Sequence, residues 1–274
     1  MRIQTLAHVS DLHLGGGARS ADMARAIADT LLATKVDHVV VTGDLTHRGR
    51  ASELAAYEDA FAPLIARGRV TCVPGNHDRL GDDVRERIME GARIQIDSRE
   101  GLHIVRVDST GPHNRSWLHG HGLLTKQDVH AIDEALDEAP RDALRLVILH
   151  HHPLPLREES LGERLSNWMG WPFTLELASG AGLLERIQGR CDLVLHGHRH
   201  VPSATQVGRG AHGRPLLVCN AGSSTQLGRV RLFAHRDGGL CLAPMWLDVA
   251  ADTMALPEAV RVLEPVAIAE SIAA

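Results

Sequence analysis

Apolar and polar positions alternate in blocks along this chain, and the period changes from block to block. Residues 3–10 read as a strand, and residues 21–34 carry the spacing of an amphipathic helix. Residues 36–42 are a continuous apolar run bounded by turn residues, the pattern of a strand covered on both faces. A helix over 52–67 follows, then a strand over 70–74 that stops at Gly75. A short helix is predicted over 82–91, capped by aspartate and closed by Gly91. Residues 93–97 and 102–108 read as paired strands joined by a Ser-Arg-Glu-Gly turn, and Thr125 stands at the N-cap of a helix over 125–138. A strand over 144–150, a helix over 183–188 and a strand over 192–196 come next. Residues 216–220, 230–235 and 240–247 then alternate or run apolar like an antiparallel set.

The first half thus reads βαβαβ and the last third is mostly β, which predicts an α/β fold of two sheets sharing a core with helices outside. The 274 residues fit one large domain or two small ones. We place a single domain over 1–250 and a C-terminal tail over 251–274, rich in alanine and holding Pro257 and Pro265. Residues 156–180 separate a strand from the next helix by far more than an ordinary connection. They hold Trp168, Trp171 and Phe173 among arginines and glutamates, so the segment reads as a lid or an interface insertion.

Composition narrows the picture only slightly. With 44% hydrophobic but 3% aromatic residues, the core must be mainly aliphatic. A net charge of -5 supplies no overall attraction to nucleic acid or anionic membrane, and no apolar run approaches the length of a membrane span. The chain enters its first strand with no signal-peptide pattern, so the expected location is cytoplasmic. The four cysteines, at 72, 191, 219 and 241, lack CxxC spacing and are expected to be buried thiols.

Histidine is abundant, at 18 residues, and its placement carries the chemistry. Asp11-Leu12-His13, Gly43-Asp44-Leu45, Gly75-Asn76-His77-Asp78, His151-His152-Pro153 and Gly197-His198-Arg199-His200 each follow a predicted strand. Ligand groups gather where strands end, because loops there bring several side chains to one point. Asp11 and His13 are two apart and would face one way on extended backbone. Asp44, with two carboxylate oxygens, could bridge two cations, and Asn76 offers a neutral carbonyl oxygen. Mixed Asp, His and Asn ligation suits Mn, Fe or Zn better than Ca.

On these five motifs, spread over roughly residues 3 to 235, the chain resembles the calcineurin-like metallophosphoesterases, and most closely their bacterial cyclic-nucleotide phosphodiesterases of class III. The resemblance implies a four-layer αββα sandwich of two mixed sheets flanked by helices. It implies two divalent ions, manganese or iron first and zinc next. One would be held by Asp11, His13, Asp44 and His200, the other by Asp44, Asn76, His151 and His198. Within the run His150-His151-His152 the resemblance selects His151, with His150 and His152 left outside the ligand set.

The expected function is hydrolysis of a small phosphodiester, a cyclic nucleotide or similar, by a water or hydroxide bridging the metals. His77 would donate a proton to the leaving oxygen or stabilise charge on phosphorus. Asp78 would orient His77 or simply brace its turn. Arg79 and Arg199 sit beside ligands and suit phosphate oxygens, although surface ion pairs explain them equally well. Trp168 could stack on a base. The His-rich loop carrying Asn114, Arg115 and Trp117 would border the pocket. The rivals are a phosphomonoesterase, a lipid or nucleotide pyrophosphate hydrolase, a nuclease and a metal-free binding module. Homodimerisation is expected from the resemblance alone.

Overall fold

The computed structural model describes residues 2–154, 177–208 and 213–249. The aromatic insertion with Trp168 and the C-terminal tail, both singled out above, lie outside the described residues.

Two mixed six-stranded sheets form the two inner layers. In the first, β1 (Gln4–Val9), β2 (His38–Thr42) and β3 (Val70–Val73) run parallel, and β10 (Arg229–Arg236) pairs antiparallel with β1. The short strands β11 (Gly239–Leu240) and β12 (Met245–Asp248) both pair with β10. In the second, β5 (Leu102–Val107), β6 (Leu144–Ile148), β7 (Leu193–His196) and β9 (Leu216–Asn220) run parallel. Antiparallel strands β4 (Ile94–Arg99) and β8 (Ser203–Val207) close its two edges.

Strand parity assigns each side chain to a layer. Leu6, Val40, Ile104, Leu146, Ile148, Leu195 and Phe233 fill the seam between the sheets. Ala7, Val9, Val39 and Val41 point the other way, against α1 (Ala18–Ala33) and α2 (Ala51–Ile65). Val105, Val147 and Val194 pack likewise against α4 (Lys126–Asp137) and α5 (Gly180–Ile187). The result is the expected four-layer sandwich, with parallel strands buried on both faces reading as unbroken apolar runs. Thr125 caps α4 as predicted, accepting the Asp128 amide at 3.1 Å while the Asp128 carboxylate returns to Thr125 N at 2.8 Å.

Several expectations need correcting. The set read as antiparallel over 216–247 is divided, because β9 joins the second sheet parallel to β7 while β10, β11 and β12 pair antiparallel in the first. The helix predicted over 82–91 shrinks to α3 (Arg85–Ile88), with no side-chain cap, because Asp82 instead accepts the Ala51 amide of α2. The strand expected over 240–247 is broken between β11 and β12, leaving Cys241 exposed, while Cys191 and Cys219 are buried and Cys72 is half-buried. Edge strand β8 and the one-turn α6 (Ser224–Leu227) escape the pattern, since both are short and largely polar. Among the described residues, no helix is long and apolar enough to cross a membrane.

Candidate metal centre

The C-terminal ends of β1, β2, β3, β6 and β7 meet at one rim of the sandwich, and the loops that follow them carry the site. Asp11, His13, Asp44 and His198 all adopt left-handed backbone angles, with φ of 52, 49, 49 and 71°. That conformation costs non-glycine residues of order 1–3 kcal/mol each and persists only where the surroundings over-determine it. Here glycines allow the loops to interlock. A Cβ on Gly75 would collide with the Asp44 carboxylate and amide, and one on Gly197 with Ser10 Oγ and Asp11 Oδ2. Asp78, fully buried, ties two of the loops together by accepting Thr46 Oγ1 at 2.7 Å, Thr46 N at 2.9 Å and Gly75 N at 2.8 Å. It braces the turn, and burial followed by the charge of Asp44 raises its pKa to about 6.

Each site carboxylate has one oxygen fixed and the other aimed inward. Asp11 Oδ2 accepts Ser10 Oγ at 2.6 Å and His198 N at 3.1 Å, whereas Oδ1 is buried and accepts no hydrogen bond. That oxygen lies 3.7 Å from His200 Nε2 and 4.0 Å from His13 Nε2, and those two ring nitrogens face each other at 3.1 Å. Asp44 Oδ1 accepts His77 N at 2.8 Å. Its Oδ2 lies 3.7 Å from His13 Nε2 and 3.4 Å from His150 Nε2, between two donor groups. On the far side, Asn76 Oδ1 is 3.0 Å from His150 Nε2 and 3.0 Å from His198 Nδ1.

Burial dominates the electrostatics. It lowers the His13 pKa to about 3 and holds His198 well below the ordinary histidine value, so both rings keep a lone pair free of protons. Burial opposes a proton on His150 as well, but the facing Asp44 carboxylate outweighs it and raises that pKa to about 9. Burial would likewise raise Asp44, yet His150 and His77 hold it well below the usual carboxylate range. Converging oxygens and ring nitrogens, one of the oxygens buried without a hydrogen bond, fit two divalent cations that share Asp44.

The histidine run is where sequence and structure part. The expected ligand His151 has both ring nitrogens committed, Nδ1 to Ser109 Oγ at 2.8 Å and Nε2 to the Gly120 carbonyl at 2.9 Å. A neutral imidazole has one donor and one acceptor, so nothing is left for a metal. His150 instead aims its Nε2 at the site, 3.4 Å from Asp44 Oδ2 and 3.0 Å from Asn76 Oδ1. Strand parity explains why, because Leu146 and Ile148 face the inter-sheet seam and His150 continues that face, whereas Val147 and Leu149 face the helices. Accordingly, His150→Ala should lose one metal equivalent and His151→Ala should retain both, as read by elemental analysis of the purified variants.

The remaining candidates divide. His77 lines the cavity beside the donors, and its Nδ1 donates to the His47 carbonyl at 2.8 Å, which fixes the ring and leaves Nε2 for the cavity. Arg199 is buried and lines the same cavity. Arg79 does not, since its guanidinium pairs with Asp83 at 2.8 Å and reaches Thr110 at 3.3 Å, facing a separate hollow. An acidic neighbour four residues on captured it. Trp168 is outside the described residues.

Sequence reasoning passed over His47 and Ser10, whereas the loop carrying Trp117 was expected to border the pocket and does so. His47 lies in the cavity wall, its ring centroid 5.8 Å from those of both His13 and His77. Trp117 stands edge-on to His77 at 5.4 Å. Only Ser10 had a signal, as the next seam-facing position after Leu6 and His8. The cavity measures about 860 Å³ and is open to solvent beyond Arg19, Ser20 and Gln226.

Residues 4–202 match the family described as calcineurin-like phosphoesterase. The chain is 20% identical over 254 residues to a probable cyclic nucleotide phosphodiesterase of Vesicomyosocius okutanii, an alignment spanning 89% of this chain and 99% of that protein. It is 34% identical over 125 residues to the 3',5'-cyclic adenosine monophosphate phosphodiesterase CpdA of Escherichia coli K12, covering 43% and 41% of the two chains. Among solved structures it is similar to a dimetal phosphatase from Danio rerio, with a TM-score of 0.57 at 12% identity over 90% of this chain and 99% of that one.

Proposed function

We propose that this chain, which belongs to the calcineurin-like phosphoesterase family, is a two-metal hydrolase of small phosphodiesters. The observation that carries the proposal is the pair of adjacent donor sets meeting at Asp44 Oδ2 on the floor of an open cavity. Asp11, His13, Asp44 and His200 would hold one cation, and Asp44, Asn76, His150 and His198 the other. When bound, two such cations activate water at neutral pH and neutralise charge developing on the phosphoryl oxygens. Manganese and iron suit this nitrogen and oxygen set, and zinc is compatible with it.

The protein's own groups do the rest. Ser10 and the His198 amide hold Asp11, and the His77 amide holds Asp44, so the carboxylates are oriented before substrate arrives. With a second proton on its ring, His77 would give it from Nε2 to the departing oxygen while Nδ1–H stays on the His47 carbonyl. Arg199 supplies fixed positive charge at the cavity wall. A diester reading is supported by the relatives named as cyclic nucleotide phosphodiesterases, whereas the fold neighbour described as a dimetal phosphatase keeps the monoester in view.

Hydrolysis of bis(p-nitrophenyl) phosphate and p-nitrophenyl phosphate, measured after metal stripping and again with manganese restored, tests the proposal. Restored turnover of the diester with little on the monoester is the expected result. Preference for the monoester would make the protein a phosphatase, and no metal-dependent turnover of either would overturn the assignment.

A further inference from the structure

Trp117 stands between two hollows. Its exposed ring, 56% accessible, lines the metal-site cavity on one side. On the other it lines a smaller hollow of about 380 Å³ whose remaining wall is Arg48, Arg50, Leu80 and Gly81. Both arginines are exposed, and among the described residues neither guanidinium has a carboxylate partner. The nearby acids are turned to the backbone instead. Glu53 Oε2 accepts the amides of Arg48 at 2.8 Å and Arg50 at 3.3 Å, and Asp82 accepts the amide of Ala51 at 2.9 Å.

The loop bearing the arginines is rigidly seated. Gly49 N donates to Thr46 Oγ1 at 3.1 Å, and Thr46 is held by Asp78, the same residue that ties the β2 and β3 loops. Gly49 and Gly81 both take left-handed angles, and a Cβ on either would strike the other loop's backbone. Two guanidiniums without a carboxylate partner among the described residues, on a pinned loop and one flat ring away from the proposed phosphodiester site, are the elements of phosphate and base recognition.

We infer that Trp117 and the Arg48–Arg50 hollow form a second subsite for a linear nucleotide substrate, the base lying on Trp117 and a further phosphate on the two arginines. This rests on the proposed diester hydrolysis, and it names the substrate class as a short dinucleotide carrying a terminal phosphate. The overall charge of -5 is no obstacle, because two arginines suffice for one phosphate where a long strand needs a continuous basic track.

The test compares kcat/KM of the manganese-loaded enzyme for the dinucleotides pApA, ApAp and ApA. A preference of about tenfold or more for one of the phosphorylated forms is expected, and which of the two is preferred sets the direction of the chain. That preference should fall to near unity in the R48A/R50A double variant. Trp117→Ala should raise KM for all three dinucleotides by about tenfold. Equal kcat/KM for all three in the wild type, or a preference that survives in R48A/R50A, would overturn the subsite. Should bis(p-nitrophenyl) phosphate prove not to be hydrolysed, calorimetric binding of adenosine 3',5'-bisphosphate against AMP decides the subsite separately. Tighter bisphosphate binding lost in R48A/R50A supports it, and equal binding overturns it.

Discussion

Asparagine in place of Asp44 is expected to strip metal from both positions and to lower diester turnover by roughly a thousandfold or more. The substitution is nearly isosteric, so the tight seat against Gly75 is preserved, and Oδ1 can still accept the His77 amide. What is lost is the charge on Oδ2, the atom lying between His13 and His150 and so between the two donor sets. Every other residue of the two proposed sets would belong to one set alone, and its removal would leave the second complete. Loss of several kcal/mol of charge stabilisation at about 1.36 kcal/mol per tenfold gives the stated magnitude. Metal content by elemental analysis and kcat/KM on bis(p-nitrophenyl) phosphate are the readouts. An Asp44→Asn protein that keeps two metals would remove Asp44 from its bridging role.

His77→Ala should behave differently, losing about 10²–10⁴-fold in turnover while both metals stay bound. Its imidazole donates from Nδ1 to the His47 carbonyl and is not needed to complete either donor set. If Nε2 protonates the leaving oxygen, the loss must depend on the leaving group. An alkoxide departing from a nucleotide diester needs that proton, whereas p-nitrophenolate departs readily without one. The deficit should therefore be larger on a dinucleotide than on bis(p-nitrophenyl) phosphate. An equal deficit on both would mean that His77 stabilises charge on phosphorus and leaves proton transfer to water. Loss of metal would make it a ligand.

The layers were legible because buried parallel strands cannot hide. Val39-Val40-Val41 and Leu146-Val147-Ile148 are apolar on both faces, and only a sandwich covered on both sides satisfies such runs. The rim was legible because strand ends and ligand-type residues coincide, so Asp11, His13, Asp44, Asn76, His198 and His200 could be named and are brought together. Within the histidine run the resemblance selects His151, whereas the alternation of Leu146 and Ile148 toward the seam points to His150, a parity that motif likeness does not weigh. Arg79 was unreadable for another reason, since whether a guanidinium faces substrate or Asp83 is settled by a tertiary contact that local pattern does not encode. Trp117 was legible only in part, since its loop was expected at the border of the pocket and does line the cavity, but its ring contacts were not readable. Its partners His47 and His77 lie on loops far from it in sequence, and only folding sets the ring at the mouth of the cavity.

The donor sets also draw on both halves of the sandwich. Asp11, His13, Asp44 and Asn76 follow strands of the first sheet, and His150, His198 and His200 follow strands of the second. A cation held by such a set is a clamp across the inter-sheet seam, and its ligands are contiguous only in the native state. Folding and metal occupancy then become one linked equilibrium, in which the free-energy gap to the unfolded chain widens with the logarithm of free metal concentration above the dissociation constant. With the proposed cations bound, removing free metal would then lower the stability of the fold itself as well as its activity.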